Sequence, residues 1–144
     1  MAPAEERKIT EDDLRVFGLF EQVTHARPKD YVNLTDRVVF VVEAGQLRRA
    51  IGPQARAINR LKDLFKKPVD IVEFHDDAEQ FLKNIFHHYE VAGVTFSEKG
   101  GRKHATVTVK AEEKGRAIGK GGRNLKVAQM LASRHTDIQS VSVA

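Results

Sequence analysis

Apolar and polar residues recur along the chain with two periods, and these periods predict its helices and strands. Two runs rich in β-branched residues, Arg37 to Val42 and His104 to Lys110, predict strands. Apolar residues that recur every three or four positions predict two longer helices that face a core. These residues are Ile58, Leu61 and Phe65 in one helix, and Leu125, Ala128 and Leu131 in the other.

Each of these segments follows an amphipathic helix. The first is predicted to start near Glu11 after a Thr10 cap, and the second near Ala78 after an Asp77 cap, with Gln80 completing a capping box. The second helix carries one apolar face, formed by Ala78, Phe81, Leu82, Ile85, Phe86 and Tyr89.

The remaining short runs predict further strands, with Gly100-Gly101 as a hairpin turn. These strands are Tyr31 to Leu34, Val69 to Phe74, Val91 to Ser97 and Thr136 to Val143. The predicted order in each half of the chain is therefore helix, strand, strand, helix, loop, helix, strand.

An internal repeat with an offset of 67 residues relates the two halves. The segment 49–56 matches the segment 116–123 at five of eight positions. The same offset, without a gap, pairs Leu64 with Leu131 and the dipeptide 70–71 with the dipeptide 137–138. A chain of 144 residues is long enough for two small domains, and the repeat predicts a first domain at 1–75 and a second at 76–144.

The amino-acid composition indicates in which compartment the protein resides and which kinds of site it lacks. The chain contains no cysteine, which excludes disulfides, thiolate metal sites and cysteine nucleophiles and fits a reducing compartment. No apolar run is long enough for a signal peptide or a membrane span. We therefore expect a cytoplasmic protein that does not associate with membranes and needs no cofactor.

The net charge of +4 is distributed unevenly. Residues 99–126 carry nine basic side chains against two acidic ones, whereas residues 1–36 carry five basic against eight acidic. Because electrostatic partners respond to local fields, the segment 99–126 is expected to bind an anion.

The glycine-rich loop from Gly119 to Gly122 lies between two predicted helices, at the start of the second. Such a position offers unpaired backbone N–H groups and the positive end of a helix dipole, which together hold phosphate. Glycines allow close approach of a sugar-phosphate backbone and positive φ. A plain helix-loop-helix turn explains the glycines alone, but the flanking basic residues favour a phosphate site.

Two other phosphate-binding motifs are excluded, one by the spacing of its glycines and one by the element that precedes the loop. A Walker loop needs four residues between its glycines and then Lys-Ser/Thr, whereas three residues separate Gly115 from Gly119, and Lys120 precedes Gly121. A dinucleotide-binding fingerprint follows a strand, whereas this loop follows a predicted helix.

The loop and its setting resemble the KH fold, whose Gly-x-x-Gly loop clamps about four nucleotides of single-stranded backbone. The helix and strand ahead of the core resemble type II KH domains, and two such units in tandem resemble the archaeal NusA-like transcription factors, over about Thr10 to Val143. The resemblance implies an α+β fold of two tandem type II KH domains, each with a three-stranded sheet covered by helices. It also implies single-stranded RNA as a ligand and a role in transcription elongation, termination or antitermination. RNA polymerase or a transcription complex is a candidate partner, but the resemblance does not carry over polymerase binding, because this chain has no room for the polymerase-binding region of bacterial NusA.

By this resemblance the RNA-binding site lies on the second copy, with bases over an apolar groove beside Ile118 and Leu125. The expected RNA-binding residues are Lys114, Arg116, Ile118, Gly119, Lys120, Gly121, Gly122, Arg123 and Lys126. The first copy has Gly52-Pro53-Gln54-Ala55 instead, which lacks the second glycine and the lysine. It is expected either to bind RNA more weakly or to be mainly structural. The residues of such a weaker contact are Arg49, Gly52, Gln54, Arg56 and Arg60.

Catalysis is not expected, since no nucleophile and base are arranged recognisably. His87 and His88 are adjacent on a predicted helix, where side chains point about 100° apart, so no shared metal ion is expected. Three alternatives to a transcription factor stay open: a ribosome-associated or RNA-processing KH protein, a scaffold for protein interactions, and a nucleotide-handling enzyme.

Overall fold

Two three-stranded sheets, each packed against helices, form the structure that the computed structural model describes over residues 8–144. The described residues form two compact units, 8–75 and 76–144. Residues 1–7, which belong to the predicted first domain and for which no signal peptide is predicted, lie outside the described residues.

The first unit contains six elements in the predicted order. They are α1 (Glu11–Thr24), β1 (Pro28–Asn33), β2 (Val38–Val42), α2 (Leu47–Ile51), α3 (Arg56–Phe65) and β3 (Val69–Glu73). β2 lies in the centre of the sheet, antiparallel to β1 and parallel to β3. Thr10 caps α1 through a reciprocal capping box, in which its Oγ1 accepts from Asp13 N at 3.1 Å and its N donates to Asp13 Oδ2 at 2.9 Å.

The second unit repeats this topology. Its elements are α4 (Ala78–Ile85), β4 (Val91–Lys99), β5 (Arg102–Val109), α5 (Lys114–Ile118), α6 (Arg123–His135) and β6 (Ser140–Val143). β5 lies between antiparallel β4 and parallel β6. The predicted α+β fold, with a three-stranded sheet and helices in each unit, is therefore confirmed.

Each unit has its own apolar core between its sheet and its helices. In the first unit Phe20 of α1 and Leu61 of α3 pack against Phe40 of β2. In the second unit Leu82 of α4 and Ala128 of α6 are buried in the corresponding core. The apolar stripes of the longer helices thus face the core, as their spacing predicts.

The ungapped repeat fails after the glycine loop. Phe40 pairs with Ile71 in the first sheet, and Val107 pairs with Val143 in the second. The offset is 107 − 40 = 67 at the central strand but 143 − 71 = 72 at the last strand, so the second unit is five residues longer between them. Accordingly α6 has 13 residues and α3 has 10, and the predicted equivalence of 70–71 with 137–138 is wrong.

Several predicted boundaries also differ. β1 begins at Pro28 and not at Tyr31, and β4 continues to Lys99. α4 ends at Ile85, so Tyr89 lies in the turn before β4, although it continues the apolar period. His87 and His88 lie in the same turn and not on a helix, with ring centroids 3.9 Å apart. β6 starts at Ser140 and not at Thr136.

The predicted capping box at the start of α4 is absent. Asp77 occupies the N-cap position, but its side chain makes no capping hydrogen bond. Gln80 Nε2 donates instead to Asn84 Oδ1, one turn further along the helix, at 2.9 Å.

Candidate nucleic-acid interface

The second loop, Gly119 to Gly122, joins α5 to α6 through a single 3-10 turn. Its first glycine has φ 83° and ψ 160°, and Gly121 and Gly122 lie in the left-handed region with φ 66° and 76°. The turn is closed by a hydrogen bond from Gly122 N to Gly119 O at 2.9 Å. Gly122 is the N-cap residue of α6, so the loop presents the positive end of the α6 dipole.

The three glycines are needed for different reasons. A Cβ at Gly119 would lie 3.0 Å from the backbone nitrogen of Asn124, so a side chain at this position would crowd the start of α6. At Gly121 and Gly122 nothing lies within 4 Å of the place of a Cβ. Protein packing therefore leaves these two positions open, and only their positive φ favours glycine. The open space above them is available to a ligand.

Basic side chains accompany this loop on both helices. Lys114, Arg116, Lys120 and Lys126 are exposed, and Arg123 is half-buried. Arg116 is held loosely, since its Nη2 lies 3.9 Å from Glu113 Oε2 and 72% of its side chain is exposed. The sequence-predicted cations thus lie on one stretch of α5, loop and α6, where they can add to the dipole in attracting phosphate.

The predicted apolar groove residues, Ile118 and Leu125, are half-buried at the edge of the second core. Next to them, Gln129 Nε2 of α6 donates to Val141 O of the edge strand β6 at 3.0 Å. The helix is therefore joined directly to the strand that would form the other wall of a groove.

Two residues that the sequence did not identify support the second loop through contacts with the end of α5. Tyr89 Oη donates to Arg116 O at 3.0 Å, and Asn124 Nδ2 donates to the same oxygen at 2.9 Å. Both bonds stabilise the end of α5 that leads into the loop. For Asn124 the sequence offered a signal, since Ala57 stands at the repeat offset of 67. For Tyr89 it offered none, because that offset pairs it with Gln22 and only the sheet register makes it equivalent to Ala26.

The first loop, Gly52 to Ala55, has the same backbone as the second. Gly52 has φ 79° and ψ 165°, and Gln54 and Ala55 lie in the left-handed region with φ 55° and 59°. A non-glycine residue there costs about 1–2 kcal/mol. The first loop therefore keeps the fold of the glycine loop although Gln54 and Ala55 are strained in it.

The predicted weaker-contact residues come together around this first loop. Arg49, Gly52, Arg56 and Arg60 line one pocket of about 420 Å³. Gln54 is not part of the pocket lining, but its Oε1 accepts from Arg56 Nη2 at 3.1 Å.

Among residues 8–144, no helix is both long enough and apolar enough to cross a membrane.

The chain is similar to several known proteins. The family model of the NusA-like second KH domain matches residues 78–144. A protein of Halococcus morrhuae named probable transcription termination protein NusA is 35% identical over 94% of this chain and 97% of its own length. A protein of the same name from Thermoplasma acidophilum is 30% identical over 96% of this chain and 98% of its own length.

A solved structure, described as the crystal structure of APE1850, superposes with a TM-score of 0.77. It is 30% identical in sequence and covers 94% of this chain and all of its own. Together with the two sheets and the helix–loop–helix geometry described above, these matches show that the chain belongs to the NusA-like family of tandem KH-domain proteins that its archaeal relatives represent.

Proposed function

We propose that the chain is a single-stranded RNA-binding transcription factor in which the second loop clamps the RNA backbone. One observation carries this proposal: Gly121 and Gly122 are left-handed, and no atom of residues 8–144 outside their immediate neighbours lies within 4 Å of the place of a Cβ at either glycine. In this proposal the phosphates lie against the loop and the start of α6, with Lys120 and Arg116 contributing charge. The bases lie over the apolar groove beside Ile118.

Family membership supports a role in transcription. The relatives from Halococcus and Thermoplasma are named probable transcription termination proteins, and we propose the same process for this chain, through termination, antitermination or elongation. RNA polymerase or a transcription complex is then the proposed partner. Co-sedimentation with purified polymerase, compared with ribosomal subunits, distinguishes this role from that of a ribosome-associated KH protein.

The test is a fluorescence-anisotropy titration of a short unstructured RNA against the Lys120→Asp, Gly121→Asp double variant. We expect the dissociation constant to rise at least about tenfold, a free-energy loss of about 1.4 kcal/mol, because two negative charges would replace the clamp.

A matched control is available on the turn between β4 and β5. Lys99→Asp, Gly100→Asp makes the same change in charge, also at a left-handed glycine with open space around it. This control is expected to leave affinity within about threefold of the wild type, since general electrostatics are screened beyond about 10 Å at 0.1 M salt. Equal losses in both variants would contradict the assignment of the clamp to the second loop.

Salt dependence distinguishes RNA clamping from a protein scaffold. Neutralising a phosphate of single-stranded RNA contributes about 0.7 to the slope of log K against log salt, so a clamp on four phosphates predicts a slope of about 3. A slope near zero, or no binding at all, would favour the scaffold. Circular dichroism of each variant verifies that it is folded.

A further inference from the structure

A pocket in the first unit lies between the end of α1 and the first loop, and no part of the proposed RNA clamp uses it. It has a volume of about 420 Å³. Its walls are the segment 23–25 at the end of α1, Arg49 of α2, the segment 52–53 of the loop, and Arg56, Ala57 and Arg60 of α3. We refer to it as the arginine pocket.

In the second unit two side chains bind the backbone carbonyl that corresponds to that of Arg49 in the pocket. Pro28 pairs with Val42 and Val91 pairs with Val109, so Tyr89, two residues before β4, corresponds to Ala26, two residues before β1. Asn124 and Ala57 are likewise the second residues of α6 and α3. The Tyr89 hydroxyl and the Asn124 amide meet at Arg116 O, the carbonyl that corresponds to that of Arg49. In the first unit Ala57 lines the arginine pocket, whereas Ala26 is buried in the first core and is not part of the pocket lining.

The arginine pocket also carries charge that the protein does not neutralise. Arg49 Nη1 lies 3.5 Å from His25 O, and Arg56 Nη2 donates to Gln54 Oε1, both of which are uncharged acceptors. Within residues 8–144, no carboxylate forms an ion pair with Arg49, Arg56 or Arg60. All three side chains are exposed. In the second unit Val127 stands at the position of Arg60, so the third arginine is specific to the first unit.

We propose that the arginine pocket binds one nucleotide. The base lies against Val23, Ala57 and the aliphatic stems of the arginines. The phosphate lies against the guanidinium groups, whose planar donors match phosphate oxygens. The volume lies in the range of small-ligand sites, about 300–1,000 Å³.

This nucleotide is either one residue of the bound RNA strand or a free nucleoside monophosphate, since both present the same chemistry. The first source rests on the proposed RNA-binding function, and the second does not. The pocket lies on the α1 side of the first loop, so a nucleotide bound there extends contacts to a unit whose own loop lacks the glycine clamp.

The first experiment is an NMR titration of the ¹⁵N-labelled full chain with adenosine monophosphate and uridine monophosphate. We expect the amides of 23–25 and of 52–60 to shift, and Arg60→Gln to raise the dissociation constant about tenfold through loss of a charge-assisted contact. Arg48→Gln is the matched control, because Arg48 is an exposed arginine of α2 outside the pocket lining and should bind like the wild type.

A second variant replaces residues 57 and 60 by the residues that stand at the equivalent positions of the second unit, Asn124 and Val127. Ala57→Asn, Arg60→Val is expected to abolish the shifts, with the new amide placed as Asn124 is. If this variant does not fold by circular dichroism, Arg60→Gln decides alone. Equally strong shifts with inorganic phosphate would make the pocket a general anion site, and stronger shifts with the peptide Glu-Tyr-Glu would make it a protein-docking site. Either result, or no shift with the monophosphates, overturns the proposal.

The source of the nucleotide is tested in the Lys120→Asp, Gly121→Asp background, where the second loop is disabled. If RNA supplies the nucleotide, the residual RNA affinity falls about tenfold further when Ala57→Asn, Arg60→Val is added. If RNA binding does not respond while monophosphates still shift the amides, the ligand is a free nucleotide. Undiminished RNA binding by the second-loop variant alone would contradict the proposed clamp and leave the monophosphate titration unaffected.

Discussion

The first loop and the second loop differ at three of four residues, yet they follow the same backbone path. At the first, third and fourth residues of the two loops the largest difference in a dihedral angle is 17°, between φ of 59° at Ala55 and 76° at Gly122. Both begin with a glycine at φ near 80° and ψ near 160°, and both place two left-handed residues before the longer helix. The backbone is therefore a property of the helix–loop–helix and not of the glycines that follow the first one.

The comparison separates what glycine does for folding from what it does for a ligand. Gly52 and Gly119 have backbone or side-chain atoms of the next helix within about 3.0 Å of a Cβ, so packing disfavours a side chain there in both copies. Gly121 and Gly122 have open space around them, and the first copy replaces them with Gln54 and Ala55 at a cost in strain. The second loop has kept both glycines, which is consistent with a loop whose backbone a ligand must approach closely.

The largest expected effect is the loss of the first glycine of a loop. Gly119→Ala is predicted to lower the free energy of unfolding by about 2–4 kcal/mol, because the backbone there is accessible almost only to glycine and the new Cβ meets Asn124. Gly121→Ala, with open space, should cost only about 1 kcal/mol. Urea denaturation measures both, and equal losses would show that packing contributes nothing at Gly119.

A reciprocal exchange of the loops tests whether the open glycines serve a ligand. Transferring Pro-Gln-Ala into 120–122 is predicted to weaken binding of a short RNA about tenfold, while the helices at both ends of the loop remain folded. Transferring Lys-Gly-Gly into 53–55 should strengthen binding, because the backbone that it enters already has the required path. Anisotropy titrations of both chains check this, and an unchanged affinity in the first exchange would contradict the clamp.

Exchanging alanine and glycine at the last loop position is expected to change the free energy of unfolding by a smaller amount, with opposite signs in the two copies. Ala55→Gly is predicted to raise the free energy of unfolding by about 0.5–1 kcal/mol, since it relieves a left-handed alanine at the N-cap of α3 but also loosens the unfolded chain. Gly122→Ala should lower it by a similar amount at the matching position. Thermal or urea unfolding of the two variants measures these changes. If the free energy of unfolding changed with the same sign in both variants, the two loop backbones would not be equivalent in energy.

The sequence predicts the order of elements and the second loop well, because hydrophobic period and glycine spacing are local signals. It does not predict that Gln54 and Ala55 keep the left-handed path, because their own preferences oppose it and the surrounding helices impose it. Nor does it predict the end of α4 at Ile85, since Phe86 is buried and Tyr89 packs against the core, which keeps the helical period after the helix has ended.

The five extra residues before β6 are another feature that the sequence match conceals. The dipeptides 70–71 and 137–138 are both Asp-Ile, so identity alone suggests equivalence. The sheet register instead pairs Ile71 with Phe40 and Val143 with Val107. The register between strands that are distant in sequence depends on the packing of the whole unit, and the identity of a dipeptide gives no information about that packing.

The smallest predicted effect concerns the two side chains that bind the Arg116 carbonyl in the second unit. Tyr89→Phe removes the hydroxyl that donates to Arg116 O, but Asn124 Nδ2 still donates to the same oxygen, so the carbonyl keeps a partner. We therefore expect a loss of only about 0.5–1 kcal/mol in the free energy of unfolding, the usual net value of one neutral hydrogen bond. Removing both donors with Tyr89→Phe, Asn124→Ala should cost more than the two single losses together, because the carbonyl then loses both side-chain donors. Urea denaturation of the two single variants and the double variant measures this coupling, and strictly additive losses would mean that the two side chains do not act as one support for the second loop.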